Sequence, residues 1–535
     1  MTQGLPELPT FAGPETFLAS YEAFARPISK RLALAYWEFS CSGNPAHQAI
    51  IKECEEVFSD LHGDSAAFDA IRGWLEGSTT SPAVRRQLEL LVREFRRSKA
   101  PVALRKQIIA LTLEVEEAVS LFRPELNGRR VNSNELDRIL LREQDEALRK
   151  EAWQATRQVG SQVEERTVRL VRLRNELAQH LGFDNYFSLA VDDDELDLAF
   201  VEHILGSLEA QSKEAWSVCL GRIEQEVAAL RGKSAADLMP WDHSDRFFQS
   251  FPRNAAELST DAWFQPSTIR RHGQGFFRRI GLPIEDLWEA ADMMPREGKF
   301  PHAFCIGIDN PSDVRVLCNL DSTTRWMDTT LHEFGHALYN AHIDPQLPWL
   351  LREAAHTFIT EAVAMYFGRH ARDPAWLEEI VGVPQERTSA IAGAQAESQL
   401  VFSRWALLVT RFEQGMYKDP EQDLNALWWR LAGELQGLKR PDGHDLPDWA
   451  SKVHIPCYPA YYQNYIYGEL LASQFRDSIV AGPGGSSRSL GEEVGAFFKP
   501  LFAAGRSHSW ADTVVTATGT QLGPQAWLNQ FGSPA

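Results

Sequence analysis

Asp328-Thr329-Thr330-Leu331-His332-Glu333-Phe334-Gly335-His336-Ala337-Leu338 is the stretch on which the reading of this 535-residue chain turns. Asp328 or Thr329 can cap a helix running to about Ile343, where Asp344-Pro345 stops it. Histidines four residues apart on a helix lie on one face, close enough for both imidazoles to bind one metal ion. Glu333 points about 100° away around the axis, where its carboxylate can reach water beside such an ion without taking a coordination position. Two imidazoles and a carboxylate suit zinc, with a fourth position left to water. A pair of surface histidines is the ordinary alternative, so a third donor decides between the two.

After the breaker Asp344-Pro345-Gln346-Leu347-Pro348, a second helix is expected from about Leu350 to Arg369. His336 lies roughly 8 residues before the end of the first helix, about 12 Å at 1.5 Å per residue. An antiparallel partner regains that level about 8 to 11 residues in, which suits Glu361 and leaves Glu353 short. His356 sits between and stays open on geometry, while Asp344 is too near the turn. Upstream, the apolar runs Phe300–Ile308 and Val314–Leu320 are joined by Asp309-Asn310-Pro311-Ser312, a turn sequence, and predict a small hairpin.

Farther out the pattern is helical. Arg86–Arg96, Leu104–Phe122 and Arg138–Leu181 carry apolar residues at three- and four-residue spacing. Breaks fall at Ser78–Pro82, Ala100–Pro101, Phe122–Gly128 and Gly182–Asn185, and the Gly/Ser-rich Ala481–Ser489 reads as a loop. The expected class is mostly α, with one small sheet beside the motif helix. With 73 acidic against 54 basic side chains the net charge is −19, which repels phosphate backbones and anionic lipid and argues against nucleic acid or membrane as partners. No run of 18 apolar residues occurs, and the opening residues lack the basic and apolar regions of a secretory signal. Cys41, Cys54, Cys219, Cys305, Cys318 and Cys457 are scattered without CxxC spacing and are expected as reduced thiols, Cys305 and Cys318 alone being placed to face each other on neighbouring strands. A cytoplasmic location is the expectation.

A second constellation is Lys452-Val453-His454-Ile455-Pro456, followed by Tyr458, Tyr461, Tyr462, Tyr465 and Tyr467. Core packing is the ordinary role of such a cluster; the functional one is a row of donors for an oxyanion and a substrate carboxylate. Tyr462 and Tyr465, three apart, can serve one cleft most easily. Pro301-His302-Ala303 lies in the predicted hairpin, where an edge strand beside a metal offers unpaired amides to an extended peptide.

With Glu361 following His332-Glu333-Phe334-Gly335-His336, the chain resembles the gluzincin metallopeptidases. More narrowly it is similar to the angiotensin-converting-enzyme family of peptidyl dipeptidases, with features of the thimet oligopeptidase and oligoendopeptidase F families. The resemblance runs from about Glu151 to Phe531, with Trp428-Trp429 and Gln436-Gly437-Leu438 as further landmarks. It implies two helical lobes around a deep substrate cleft. It also implies one peptidase domain over 1–535, residues 1–125 forming an N-terminal rim or lid and 126–535 the catalytic body. By resemblance Glu361 is the third ligand of one zinc ion, His332 and His336 being the others. Lys-x-His-Ile-Pro and Tyr-x-x-Tyr imply that His454 and Tyr465 stabilise the transition state while Lys452 and Tyr462 hold the substrate's C-terminal carboxylate. One extra residue after His454 leaves the two tyrosine roles exchangeable by a helical turn. His302 and Ala303 resemble the substrate-pairing edge strand.

The chain also departs from the family pattern. Ala432 and Asn464 stand where chloride-binding arginines are expected, which argues against chloride activation. His243 replaces a carboxylate-binding glutamine, and Met365 replaces the aspartate that follows the glutamate ligand, leaving Asp328 or Glu353 to orient an imidazole. The expected protein is a zinc peptidase acting on short peptides as a monomer or dimer, with Glu333 moving the proton and dipeptides released from the C-terminus. An endo-acting oligopeptidase is the alternative, and a metal-free peptide-binding protein on the same scaffold the remote one.

Overall fold

Apolar residues at helical spacing place 71% of the structure in helix, and its two sheets are two-stranded hairpins, as the expected mostly-α class requires. The structure, a computed structural model, describes residues 12–77, 80–250, 259–482 and 485–532, without the side chains of 486 and 487. The opening residues read for a leader, and parts of the Ser78–Pro82 and Ala481–Ser489 breaks, lie outside that description. The hairpins are β1 (Glu125–Leu126) with β2 (Arg129–Arg130), and β3 (Phe304–Asp309) with β4 (Asp313–Leu317). Among the described residues no helix is long and apolar enough to cross a membrane. The chain divides into two compact units, Met1–Lys99 with Ser259–Ile391 and Tyr467–Leu522, and Ala100–Leu258 with Ala392–Ile466 and Gly523–Ala535.

In the first unit the opening helix, Pro14–Ser42, buries Phe17, Tyr21, Phe24 and Ile28 against the helices Pro45–His62, Ser65–Glu76 and Pro82–Arg96. Farther along, its Trp37 packs on Ile308 of β3 and Leu317 of β4, and Arg26 donates to the Asp309 carboxylate at 3.0 and 3.2 Å. The hairpin is shorter than predicted: β3 begins at Phe304, so His302 and Ala303 precede it. Cys305 stands opposite Val316 rather than Cys318, and all six cysteines are free.

The motif helix runs Thr324–Ala341 and starts four residues before the expected cap. Thr323 caps it by accepting from the Trp326 amide at 3.4 Å, while Asp328 is drawn into an ion pair with Arg372. Phe334 stacks on Trp288 with ring centroids 5.1 Å apart. The ligand helix is Thr357–Gly368, far shorter than the span expected from Leu350. Trp349–Leu351 is a separate 3-10 turn, and the Ala355 amide donates to the Tyr339 hydroxyl at 3.1 Å. His356, in extended conformation, then caps the helix by accepting from the Phe358 amide at 3.1 Å. The two helices touch at Gly335, where a Cβ would stand 2.9 Å from the Ala364 Cα.

In the second unit, the periodic stretch Arg138–Leu181 is not one helix. It forms the parts Ser133–Arg142, Glu146–Ala155 and Gln158–His180, the second opened by Asp145 accepting from the Ala147 amide. The guanidinium of Arg157 lies over the rings of Trp153 and Phe247 and pairs with Asp448 at 3.4 Å. At Gly160 a Cβ would stand 2.4 Å from the Pro447 carbonyl, so the helix beginning at Gln158 lies directly on the segment leading to Lys452.

Candidate active site

His332 and His336 share one face of the motif helix, their ring centroids 4.9 Å apart. Glu361, on the second turn of the ligand helix, brings Oε2 to 3.6 Å from His332 Nε2 and 3.9 Å from His336 Nε2. One ligand atom from each lies within 4.8 Å of the other two, the sole such cluster among the described residues. Two neutral nitrogen donors and one carboxylate oxygen fit zinc and leave a coordination position open. Burial, with His332 adding to it, holds His336 well below the usual imidazole range, in the neutral form that can ligate. Glu361 thus arrives four residues into its helix rather than the 8 to 11 counted from Leu350, because the helix itself begins later. His356 spends Nδ1 on the cap and is not a member of the cluster.

The orienting group is neither carboxylate named from the sequence. Asp328 pairs with Arg372, and Glu353 accepts from Asn310 Nδ2 at 3.3 Å. Instead Thr360 Oγ1 lies 2.7 Å from His336 Nδ1. Glu333 is buried, and burial pushes its carboxyl up to about 7, with His332 opposing and Glu361 reinforcing the rise. A cation on the three ligands would draw that value down again. These groups line a cavity of about 550 Å³ whose other walls include Ala303, Cys305, Asn340, Glu353 and Arg506. His302 is exposed, its ring against Phe300, while Ala303 reaches the cavity wall.

In the second unit, Lys452 donates to Gln249 Oε1 at 3.0 Å and stands over the rings of Trp405 and Tyr462 at 5.3 and 5.4 Å. Burial lowers its ammonium to about 8, Asp245 opposing and Arg246 adding. A cavity of about 330 Å³ lies beside it. Tyr462 is buried and its hydroxyl accepts from Trp405 Nε1 at 2.6 Å; the Tyr465 ring, 5.2 Å away, is only half-buried. His454 lies 5.1 Å from the Tyr462 ring and 6.2 Å from that of Tyr465. Burial, then Lys452, lowers its imidazole to about 4, so it is neutral. His243 is buried 4.5 Å from the Phe248 ring, and the side chain that meets Lys452 is Gln249. Asn464 donates to the Asp194 carboxylate at 3.4 Å, and Ala432 is buried. Thr360, Gln249, Trp405 and Arg506 went unread in the sequence; Thr360 alone carries a signal there, its place beside a ligand.

The sequence model described as angiotensin-converting enzyme, peptidase family M2, matches residues 10–217 and 237–533. The match spans nearly the whole chain, and the chain belongs to that family of zinc-using peptidases.

Proposed function

We propose that this member of the angiotensin-converting enzyme family is a zinc-dependent peptidyl dipeptidase, working in the cytoplasm as a monomer on short unstructured peptides. The observation that carries the reading is the convergence of His332, His336 and Glu361 in a cavity that also holds Glu333. Zinc on those three ligands would supply a Lewis acid that polarises a peptide carbonyl and acidifies water. Glu333 takes the proton from the attacking water and passes it to the leaving amine. Tyr465 and His454 donate to the developing oxyanion. Tyr462, whose hydroxyl accepts from Trp405 Nε1 and keeps its own proton to donate, stands beside Lys452, which leaves the oxyanion role to Tyr465. Lys452 and Tyr462, with Gln249 in the role first given to His243, hold the C-terminal carboxylate. Ala303, just before the hairpin edge, offers backbone to the extended peptide, and His302 flanks it. Asp194 beside Asn464 makes one family chloride position hostile to an anion, in keeping with a chloride-independent enzyme.

The test is Glu333→Gln. The variant should bind zinc at the wild-type ratio and lose about 10²- to 10⁴-fold in kcat, as loss of a proton-transfer group predicts. Near-normal turnover would remove Glu333 from the reaction. Mass spectrometry of products from free and amidated peptides decides the cleavage mode: dipeptide release abolished by amidation supports the reading, and unaffected internal cleavage replaces it with an endo-acting oligopeptidase.

A further inference from the structure

One charged side chain on the wall of the metal-ligand cavity is left unused by this chemistry. Arg506 is held rigidly by its main chain: its amide donates to the Leu351 carbonyl at 2.9 Å, and its carbonyl accepts from Arg86 Nε at 3.0 Å. Gly505 before it has φ +49 and lies where a Cβ would sit 2.4 Å from that same Leu351 carbonyl, so the chain turns tightly to deliver Arg506. The guanidinium lines the cavity with His332, Glu333, His336 and Glu361, and its Nε is buried without a hydrogen-bond partner. Among the described residues no carboxylate approaches it within the 4.0 Å of an ion pair. Glu353, on the same wall, feels its charge but turns to Asn310 Nδ2. A half-buried guanidinium on a cavity wall, with no carboxylate beside it, is matched best by a carboxylate, which its planar fork grips with two hydrogen bonds.

We propose that Arg506 is a specificity residue that binds a carboxylate of the peptide occupying this cavity. The inference rests on the peptidase reading and adds a preference that the metal ligands and Glu333 do not explain. A carboxylate can come from an Asp or Glu side chain or from the end of the peptide chain.

The test uses the full-length, zinc-loaded protein and a peptide set with Glu or Gln at each position in turn, every member made with a free and an amidated C-terminus. Wild type should favour Glu over Gln at one position by about tenfold or more in kcat/KM. Arg506→Gln should bring that ratio close to one while leaving the Gln peptide nearly unchanged; Arg506→Lys should keep part of it, and Arg506→Glu should favour Lys instead. A preference that follows amidation rather than the side chain makes the chain end the source. Calorimetry on zinc-loaded Glu333→Gln, with and without Arg506→Gln, reads the same preference in Kd without turnover. If the Glu-to-Gln ratio is the same with and without Arg506, the proposal is overturned. If wild type cleaves no peptide while calorimetry shows the Arg506-dependent preference, the peptidase reading falls and the carboxylate site stands. Should Arg506→Gln fail to fold, the comparison of Arg506→Lys with wild type decides: an unchanged ratio together with a lowered melting temperature makes Arg506 structural.

Discussion

When Nε2 of His336 faces a metal, its Nδ1 carries the ring proton and donates to Thr360 Oγ1 at 2.7 Å. That bond fixes the tautomer and the ring plane together. Thr360→Val should therefore weaken zinc binding about 10- to 100-fold with secondary structure unchanged, measured by competition with a chelating dye. Thr360→Ser, which keeps the hydroxyl, should recover most of it. Lys452 makes a prediction of its own. Its ammonium is lowered to about 8, so it is charged below that pH and neutral above it. If it holds a peptide carboxylate, KM for free-ended substrates should rise as pH passes upward through about 8, while KM for amidated ones stays flat. Lys452→Met should raise KM at pH 7 and remove the inflection.

The motif helix and the ligand helix depend on a contact in which side-chain size is everything. Gly335 sits between the two ligating histidines, and a methyl there would meet the Ala364 Cα at 2.9 Å and the Phe367 ring at 3.1 Å. Gly335→Ala should part the helices, at a stability cost of about 1–3 kcal/mol from overpacking, and should loosen zinc by drawing Glu361 away from the imidazoles. Chemical denaturation and metal titration check the two parts separately. The same contact shows what the sequence could reveal. His332 and His336 were legible because a four-residue spacing on a helix is a geometric statement; Pro345 and Pro348 announce a reversal, but it left His356 open beside Glu361, and the family resemblance chose between them. Helix limits were less legible. The ligand helix opens at Thr357 because Tyr339 holds the Ala355 amide from another element and His356 turns its ring to the local backbone as a cap, neither of which shows in apolar spacing. The same holds for Gln249 at Lys452 and Arg506 on the cavity wall, each brought to its place from a distant part of the chain.

For the molecule as a whole, metal and stability are coupled. A ligand that binds only the folded chain stabilises it by about 4 kcal/mol at a thousand times its Kd. Zinc should raise the melting temperature, excess chelator should lower it reversibly, and Glu361→Gln should melt at nearly the same temperature under both conditions; scanning calorimetry tests all three. Each compact unit is assembled from three separate segments, so no single contiguous fragment encodes either one. Trp37 and Arg26 lie near the beginning of the chain, whereas Ile308, Asp309 and Leu317, which cover or pair with them, follow more than 250 residues later. At ribosomal speeds of roughly 5–20 residues per second, that distance is a delay of about 14 to 55 seconds. Over that interval the newborn helix carries an uncovered indole and a guanidinium paired only with Glu22 of its own turn, an opening for chaperones long before any catalytic group has been translated.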